Sequence, residues 1–110
     1  MGWQGSVMQY QIHHNLSPSR EQAPYVLDVQ SPLLDKLATR VVIPLYAGDT
    51  MPFKPLSHVT PVFPIESKDF YLLTPFMAAM PNKWLGDVVL DCRAQSHLIV
   101  SAIDALLSGI

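Results

Sequence analysis

The sequence is poor in cysteine and in charged residues. Its single cysteine, Cys92, excludes a disulfide within the chain, as is usual for proteins of a reducing compartment. Only 15% of the 110 residues are charged, which is little for a protein whose whole surface faces water. We therefore expect that a partner covers part of the surface and that the chain forms an oligomer.

A basic excess is also missing. The formal net charge is −2, and the seven lysines and arginines are scattered singly along the chain. Proteins that bind nucleic acids directly usually carry a basic patch or run, because phosphate contacts dominate their affinity. We therefore do not expect direct DNA binding, and any contact with DNA is expected to pass through a protein partner.

Long apolar runs are absent as well. No stretch reaches the roughly 18 apolar residues that a membrane-spanning helix needs. The N-terminus shows no charged segment followed by an apolar run, the pattern of a secretion signal. The sequence thus favours a cytoplasmic protein without a membrane partner.

No catalytic, metal or cofactor motif is recognisable. His13 and His14 are adjacent and would point to opposite faces of a strand, while His58 and His97 stand alone. The five glycines form no phosphate-binding loop, and no G-x-S-x-G nucleophile motif occurs. We therefore expect no metal, no cofactor and no catalytic residue.

What the sequence does contain is proline and a series of short, strand-like segments. Its ten prolines are about twice the average share and argue against a helical bundle. Strands are predicted where polarity alternates or β-branched residues cluster. These segments span residues 8–13, 25–30, 40–47, 59–65, 69–74 and 84–91, and residues 75–83 are predicted to form a turn region. Residues 1–7 are set aside as an N-terminal extension or a cloning remnant, which leaves one domain at residues 8–110.

The C-terminal segment changes to helical periodicity. Its apolar residues share one helical face, formed by Ile99, Ala102, Ile103 and Leu106. Asp91 is the predicted N-cap, and Gly109 suits the left-handed residue that ends a helix. The predicted fold class is therefore mainly β with one C-terminal α-helix, in which about five to seven antiparallel strands form a sheet or small open barrel.

Two apolar features stand where polar residues are usual. The segment SPLLDKLATR, residues 31–40, places Leu33 and Leu34 in a connection after a strand. Either these leucines turn into the core, or they form an exposed patch that a partner covers. The chain also ends on an apolar residue, Ile110, directly after the helix.

Four segments resemble the CcdB toxin family. They are YVLDVQS (25–31), TRVVIPL (39–45), LTPFMAAMP (73–81) and AIDALLSGI (102–110), in the order and at the spacing of that family. The resemblance covers residues 8–110. It implies an SH3-like barrel of antiparallel strands, a fold shared with MazF-type toxins. It also implies a homodimer whose interface involves residues 73–81 and the end of the helix.

A function follows from the same resemblance. CcdB-like proteins are toxins of type II toxin–antitoxin modules that bind the A subunit of DNA gyrase and trap the state in which both DNA strands are cut. A CcdA-like antitoxin with a disordered C-terminal tail reverses this effect. The protein would then be an inhibitor of a type II topoisomerase rather than an enzyme, and it would reach DNA only through gyrase or an antitoxin complex.

The resemblance assigns gyrase binding to the two-leucine turn and to the end of the helix. The implied residues are Leu33, Leu34, Asp104, Leu107, Ser108, Gly109 and Ile110. One departure stands out, because the residue before Gly-Ile is aromatic in the best-known members and is Ser108 here. Serine cannot stack on a cation or fill an aromatic pocket. Either leucines replace that contact, or binding is weaker, or the target differs.

Two other functions stay open at this point. A MazF-like endoribonuclease would need an acid–base pair and cationic groups at the phosphate. Arg40 or Arg93 with a nearby Asp or His would serve, although the scattered positive charge counts against this function. The other alternative is a non-toxic relative that only captures antitoxin, and Ser108 is the feature that favours it.

Overall fold

Seven strands and one helix make up the part of the chain that the computed structural model describes, residues 8–109. The strands are β1 (Gln11–Asn15), β2 (Tyr25–Asp28), β3 (Thr39–Ala47), β4 (Val62–Ile65), β5 (Lys68–Leu72), β6 (Ala78–Pro81) and β7 (Leu85–Asp91), and the helix is α1 (Ser96–Ser108). Short 3-10 turns connect several of them, among them Pro32–Leu34 and Thr74–Phe76. The predicted fold class, mainly β with one C-terminal helix, is confirmed.

All seven strands belong to one antiparallel sheet. The main path runs β4-β5-β3-β2-β1-β7, and β6 joins it at β3. β3 is the longest strand and organises the sheet, because one edge pairs with β2 and the other pairs with both β5 and β6. With the natural twist of the strands, this arrangement curls the sheet into an open half-barrel that ends at β4 and β7.

The core forms where one face of the sheet meets α1. Its fully buried side chains come from five strands or loops and from the helix, and include Ile12, Leu27, Ile43, Leu45, Leu72, Cys92 and Ile99. The predicted helix face is confirmed, since Ile99 and Ala102 are buried and Ile103 and Leu106 are half-buried. Packing of α1 against the turn Thr74–Phe76 fixes the helix relative to the sheet.

The prediction of a turn region at residues 75–83 is wrong in part, because Ala78–Pro81 forms β6. This strand pairs with Thr39–Val42 of β3. Its composition does not predict a strand, since alanine is uncommon in strands and Pro81 lacks an N–H donor. β5 leaves the edge of β3 unpaired at this end, and β6 forms because it pairs with that free edge.

The prediction of Asp91 as the N-cap of the α-helix is wrong. A 3-10 turn, Arg93–Gln95, comes first, and α1 begins at Ser96 without a side-chain cap. The Asp91 carboxylate does accept a backbone N–H, that of Arg93 at 3.0 Å, and so it forms a side-chain turn directly before the 3-10 turn. The chain turns from β7 into the helix in two steps rather than one.

Gly86 allows the close approach of β7 to β1. A Cβ atom at this position would lie 3.0 Å from the Cβ of His14 and 3.2 Å from its carbonyl oxygen. We expect Gly86→Ala to lower the free energy of unfolding by about 1–3 kcal/mol, measured by urea denaturation, because the backbone of β1 must shift. Gly48→Ala is the matched control, since its Cβ would meet only the ring of Tyr71, at 3.3 Å. Equal stability of the two variants would contradict this packing.

Candidate functional site

The two-leucine turn is exposed. Pro32–Leu34 forms a 3-10 turn between β2 and β3, and none of its residues is buried. The side chain of Leu33 is 93% exposed, and those of Leu34 and Leu37 are exposed to about half, at 49% and 50%. The leucines therefore do not turn into the core. They form an apolar surface patch, which we name the leucine turn (residues 31–38).

Hydrogen bonds hold the leucine turn in one shape. Ser31 Oγ accepts from the N–H of Leu33 at 3.2 Å, and the carbonyl of Ser31 accepts from the N–H of Leu34 at 2.9 Å. Gln30 Nε2 donates to the carbonyl of Leu34 at 2.9 Å, while its Oε1 accepts from the N–H of Val41 at 3.0 Å. A single glutamine thus ties the turn to the start of β3.

A buried arginine lies beneath the leucine turn. Arg40 is 2% exposed, and its Nε donates to Asp28 Oδ2 at 2.8 Å while its Nη1 donates to Asp35 Oδ1 at 2.9 Å. Burial by itself would lower the pKa of Arg40, but the hydrogen bonds and charges of the two carboxylates raise it above its ordinary value. The guanidinium is therefore permanently charged and fully engaged inside the protein.

The pairing of the arginines with carboxylates counts against the endoribonuclease alternative. Arg40 is buried and paired, so it is not presented to a phosphate. Arg93 is exposed but is paired with Asp91, which it binds through Nε at 2.9 Å. Within residues 8–109, no three His, Cys, Asp or Glu side chains lie close enough together to hold a metal ion. No observation in the described part of the chain favours phosphodiester chemistry.

The end of α1 is the second part of the candidate site. Asp104, Leu107 and Ser108 are all exposed, Leu107 to 72%. Gly109 ends the helix with φ +73°, in the left-handed region, and its N–H donates to the carbonyl of Ala105 at 3.0 Å. These residues confirm the predicted helix end. Ile110, the last residue of the predicted site, lies outside the described residues.

Ser108 does not offer its hydroxyl to a partner in this arrangement. Its Oγ donates to the carbonyl of Asp104 at 2.8 Å, within the same helix. The bond runs from residue i to the carbonyl of residue i−4, as is usual for a serine within a helix, and it satisfies the hydroxyl inside the helix. The apolar surface next to it belongs to Leu107, one position earlier in the chain.

The leucine turn and the helix end are separate features of the fold. α1 packs mainly against Thr74–Phe76 and the preceding turn Arg93–Gln95, and the leucine turn is not among the elements it packs against most closely. Neither part lines the groove of 320 Å³ that opens between the ends of the half-barrel, next to Pro64 and Leu90. Those predicted residues that the structure describes therefore form two exposed surfaces rather than one pocket.

Sequence reasoning missed four residues around this site. Leu37 extends the exposed apolar patch, and its spacing of three from Leu34 was a usable signal. Asp28, Gln30 and Asp35 hold the turn together with Arg40, yet only the register of β2 and β3 brings residues 28 and 40 together. No local pattern could have revealed that contact.

A comparison with family models matches this chain over residues 9–109, to the family described as CcdB protein. The chain belongs to the CcdB family. It is therefore a toxin of a toxin–antitoxin system, and the curled antiparallel sheet with one C-terminal helix is the fold of that family. The division between an extension at residues 1–7 and a CcdB-like domain at residues 8–110 stays a prediction, since residues 1–7 lie outside the described residues. In the described part, no helix has the length and hydropathy to cross a membrane.

The thiol of Cys92 is inert in this fold. Burial, and after it the negative charge of Asp91, raises its pKa to about 11. We expect the folded protein to react with a thiol reagent at pH 8 at least about a hundredfold more slowly than the urea-unfolded chain, because the thiol is both buried and protonated. A Ser101→Cys variant provides the control, because its new thiol lies on the exposed side of α1. We expect this thiol to react at once with one equivalent of the reagent. Equal rates for the two thiols would contradict the burial.

Proposed function

We propose that this CcdB-family toxin binds the A subunit of DNA gyrase and traps the state in which both DNA strands are cut. It acts by binding and not as an enzyme, and a CcdA-like antitoxin neutralises it. The observation that carries the proposal is the exposure of large apolar side chains on two ordered elements, Leu33 on the leucine turn and Leu107 on α1. Family membership supports the choice of a gyrase subunit as the partner.

Leu33 and Leu107 are more exposed than the other large apolar side chains of the described residues, and they offer apolar surface that a partner can bury. Burying one leucine side chain contributes about 1.5–3 kcal/mol, which an isolated chain forgoes at Leu33 and Leu107. Association itself costs roughly 4–15 kcal/mol in lost freedom of motion. Three or four leucines on pre-ordered elements can offset a substantial share of that cost, and Leu34 and Leu37 complete such a set.

Ser108 changes how the helix end would bind. An aromatic anchor commonly contributes more than about 2 kcal/mol to an interface, which corresponds to about thirtyfold in affinity. The hydroxyl of Ser108 is satisfied within the helix, so it supplies no replacement. The 72% exposed side chain of Leu107 does supply apolar surface at the same end of α1. We assign to Leu107 and Ile110 the apolar contact that the aromatic makes in other family members.

The proposal includes a homodimer. Two helix ends side by side would present both apolar tips to one gyrase dimer, with residues 73–81 contributing to the interface between protomers. Phe76 in this segment is 42% exposed and lies next to α1, as such an interface requires. The protein would meet DNA only through gyrase or an antitoxin complex, in the cytoplasm where gyrase works.

A cleavage-trapping assay tests the proposal. Purified toxin, gyrase, ATP and supercoiled plasmid are mixed and then treated with detergent and protease. We expect linear plasmid with the full chain. Deletion of residues 108–110 should lower the yield at equal toxin concentration by at least about tenfold, because the apolar tip is lost while the core is untouched. A truncated chain that traps as well as the full chain would contradict the proposal.

A pair of charged substitutions makes the same assay specific for the leucine turn. Leu33→Asp would place a carboxylate in the apolar interface and should abolish trapping. Leu56→Asp is the matched control, since Leu56 is 47% exposed on the loop before β4 and should tolerate the charge. Equal loss with both variants would indicate a general effect of charge and would contradict a site on the leucine turn.

Ser108 favours one second candidate, a non-toxic relative that captures antitoxin. Such a protein would give no linear plasmid with gyrases from several sources, although it is folded and dimeric. It would also compete for the antitoxin, so its expression would restore killing in cells in which that antitoxin neutralises an authentic toxin. A toxin-neutralisation assay in cells separates the two candidates when the protein is also expressed alone, because a gyrase poison would then kill and a decoy would not.

A further inference from the structure

We propose that Arg40 is a positioning residue for the leucine turn. It is anchored to β2 through Asp28, and it holds the turn in its binding shape through Asp35. The inference rests on the proposed function, because it assigns to these residues the presentation of Leu33 and Leu34 to gyrase. It adds a set of buried residues that would control affinity without touching the partner.

The anchor of this arrangement is the pair formed by Asp28 and Arg40. Asp28 is 0% exposed, and its carboxylate accepts from Arg40 Nε at 2.8 Å, from Arg40 Nη2 at 3.2 Å and from the N–H of Gln30 at 2.9 Å. Two parallel bonds from one guanidinium fix its orientation as well as its position. Because both charges are buried and satisfied, neither side chain is free to move.

The guanidinium then reaches the turn with its third nitrogen. Nη1 of Arg40 donates to Asp35 Oδ1 at 2.9 Å, and Asp35 directly follows Leu34 at the end of the 3-10 turn. Gln30 grips the neighbouring residue through the carbonyl of Leu34. Side chains from both ends of the loop thus hold residues 34 and 35.

The leucine turn needs such support from outside. The side chain of Leu33 is almost fully exposed and those of Leu34 and Leu37 are exposed to about half, so little packing in the core fixes their backbone. Short 3-10 turns have poor hydrogen-bond geometry and are not stable alone. If the turn were mobile, binding would have to order it, and the entropy lost would weaken the complex. Only arginine can serve two carboxylates from three nitrogens in one plane, and lysine cannot.

Asp35→Ala tests the inference, since it removes the carboxylate that accepts from Arg40 Nη1 and leaves the pair of Asp28 and Arg40 intact. We expect backbone ¹⁵N order parameters at residues 33–37 to fall from about 0.85 to below about 0.6, while those of β2 and β3 stay high. The dissociation constant for the gyrase A subunit should rise about tenfold. Asp69→Ala, at an exposed carboxylate of β5, is the control and should change neither quantity. Asp35→Glu keeps the charge and should restore most of the affinity.

Two results would overturn the inference, and a third, distinguishable from them, would overturn the proposed function on which it rests. Weaker binding by Asp35→Ala with unchanged order parameters would mean that Asp35 touches gyrase itself. A mobile turn with unchanged affinity would mean that the shape of the turn does not matter. If the unaltered protein does not bind the gyrase A subunit at all, the proposed function fails, and the order parameters alone then decide whether Asp35 holds the turn.

Discussion

The buried ion pair between Arg40 and Asp28 connects the core of this protein with its exposed leucines. A buried ion pair is weak evidence for stability, since hydrophobic replacements often do as well. Breaking this one by removing a single partner would nevertheless cost about 3–5 kcal/mol, because the other charge would stay buried alone. The pair joins β2 to β3, whose register places Leu27 opposite Ile43 in the core. The same register brings Arg40 beneath the leucine turn.

Rigidity explains how a small toxin can present apolar residues to water. Gln30, Ser31 and Arg40 hold the leucine turn through hydrogen bonds. The last turns of α1 are fixed because the rest of this helix packs on the core. Leu33 and Leu107 gain nothing from either element while they face solvent. Both elements fix apolar side chains in place before a partner arrives. This order favours binding, although it adds nothing to the stability of the free protein.

Sequence patterns predicted the features that depend on local chemistry. The β-branched runs around Val26 and Val42, the helical spacing of Ile99 and Ala102, and the left-handed Gly109 all appear in the structure as expected. Features that depend on distant neighbours were not predicted. β6 exists because β3 has a free edge, and the contact between residues 28 and 40 exists because two strands pair in one register. Likewise, the leucine pair allowed two explanations until its exposure was known.

The most direct test is a map of the surface that gyrase covers. Leucine methyl groups of the toxin would be labelled with ¹³C and followed by NMR while the gyrase A subunit is added. We expect the methyl signals of Leu33, Leu34 and Leu107 to shift or broaden first, and those of Leu16 and Leu56, which are exposed to a similar degree as Leu34, to keep their positions. Changes at Leu16 and Leu56 with none at Leu33 and Leu107 would contradict a gyrase site on the leucine turn and the helix end.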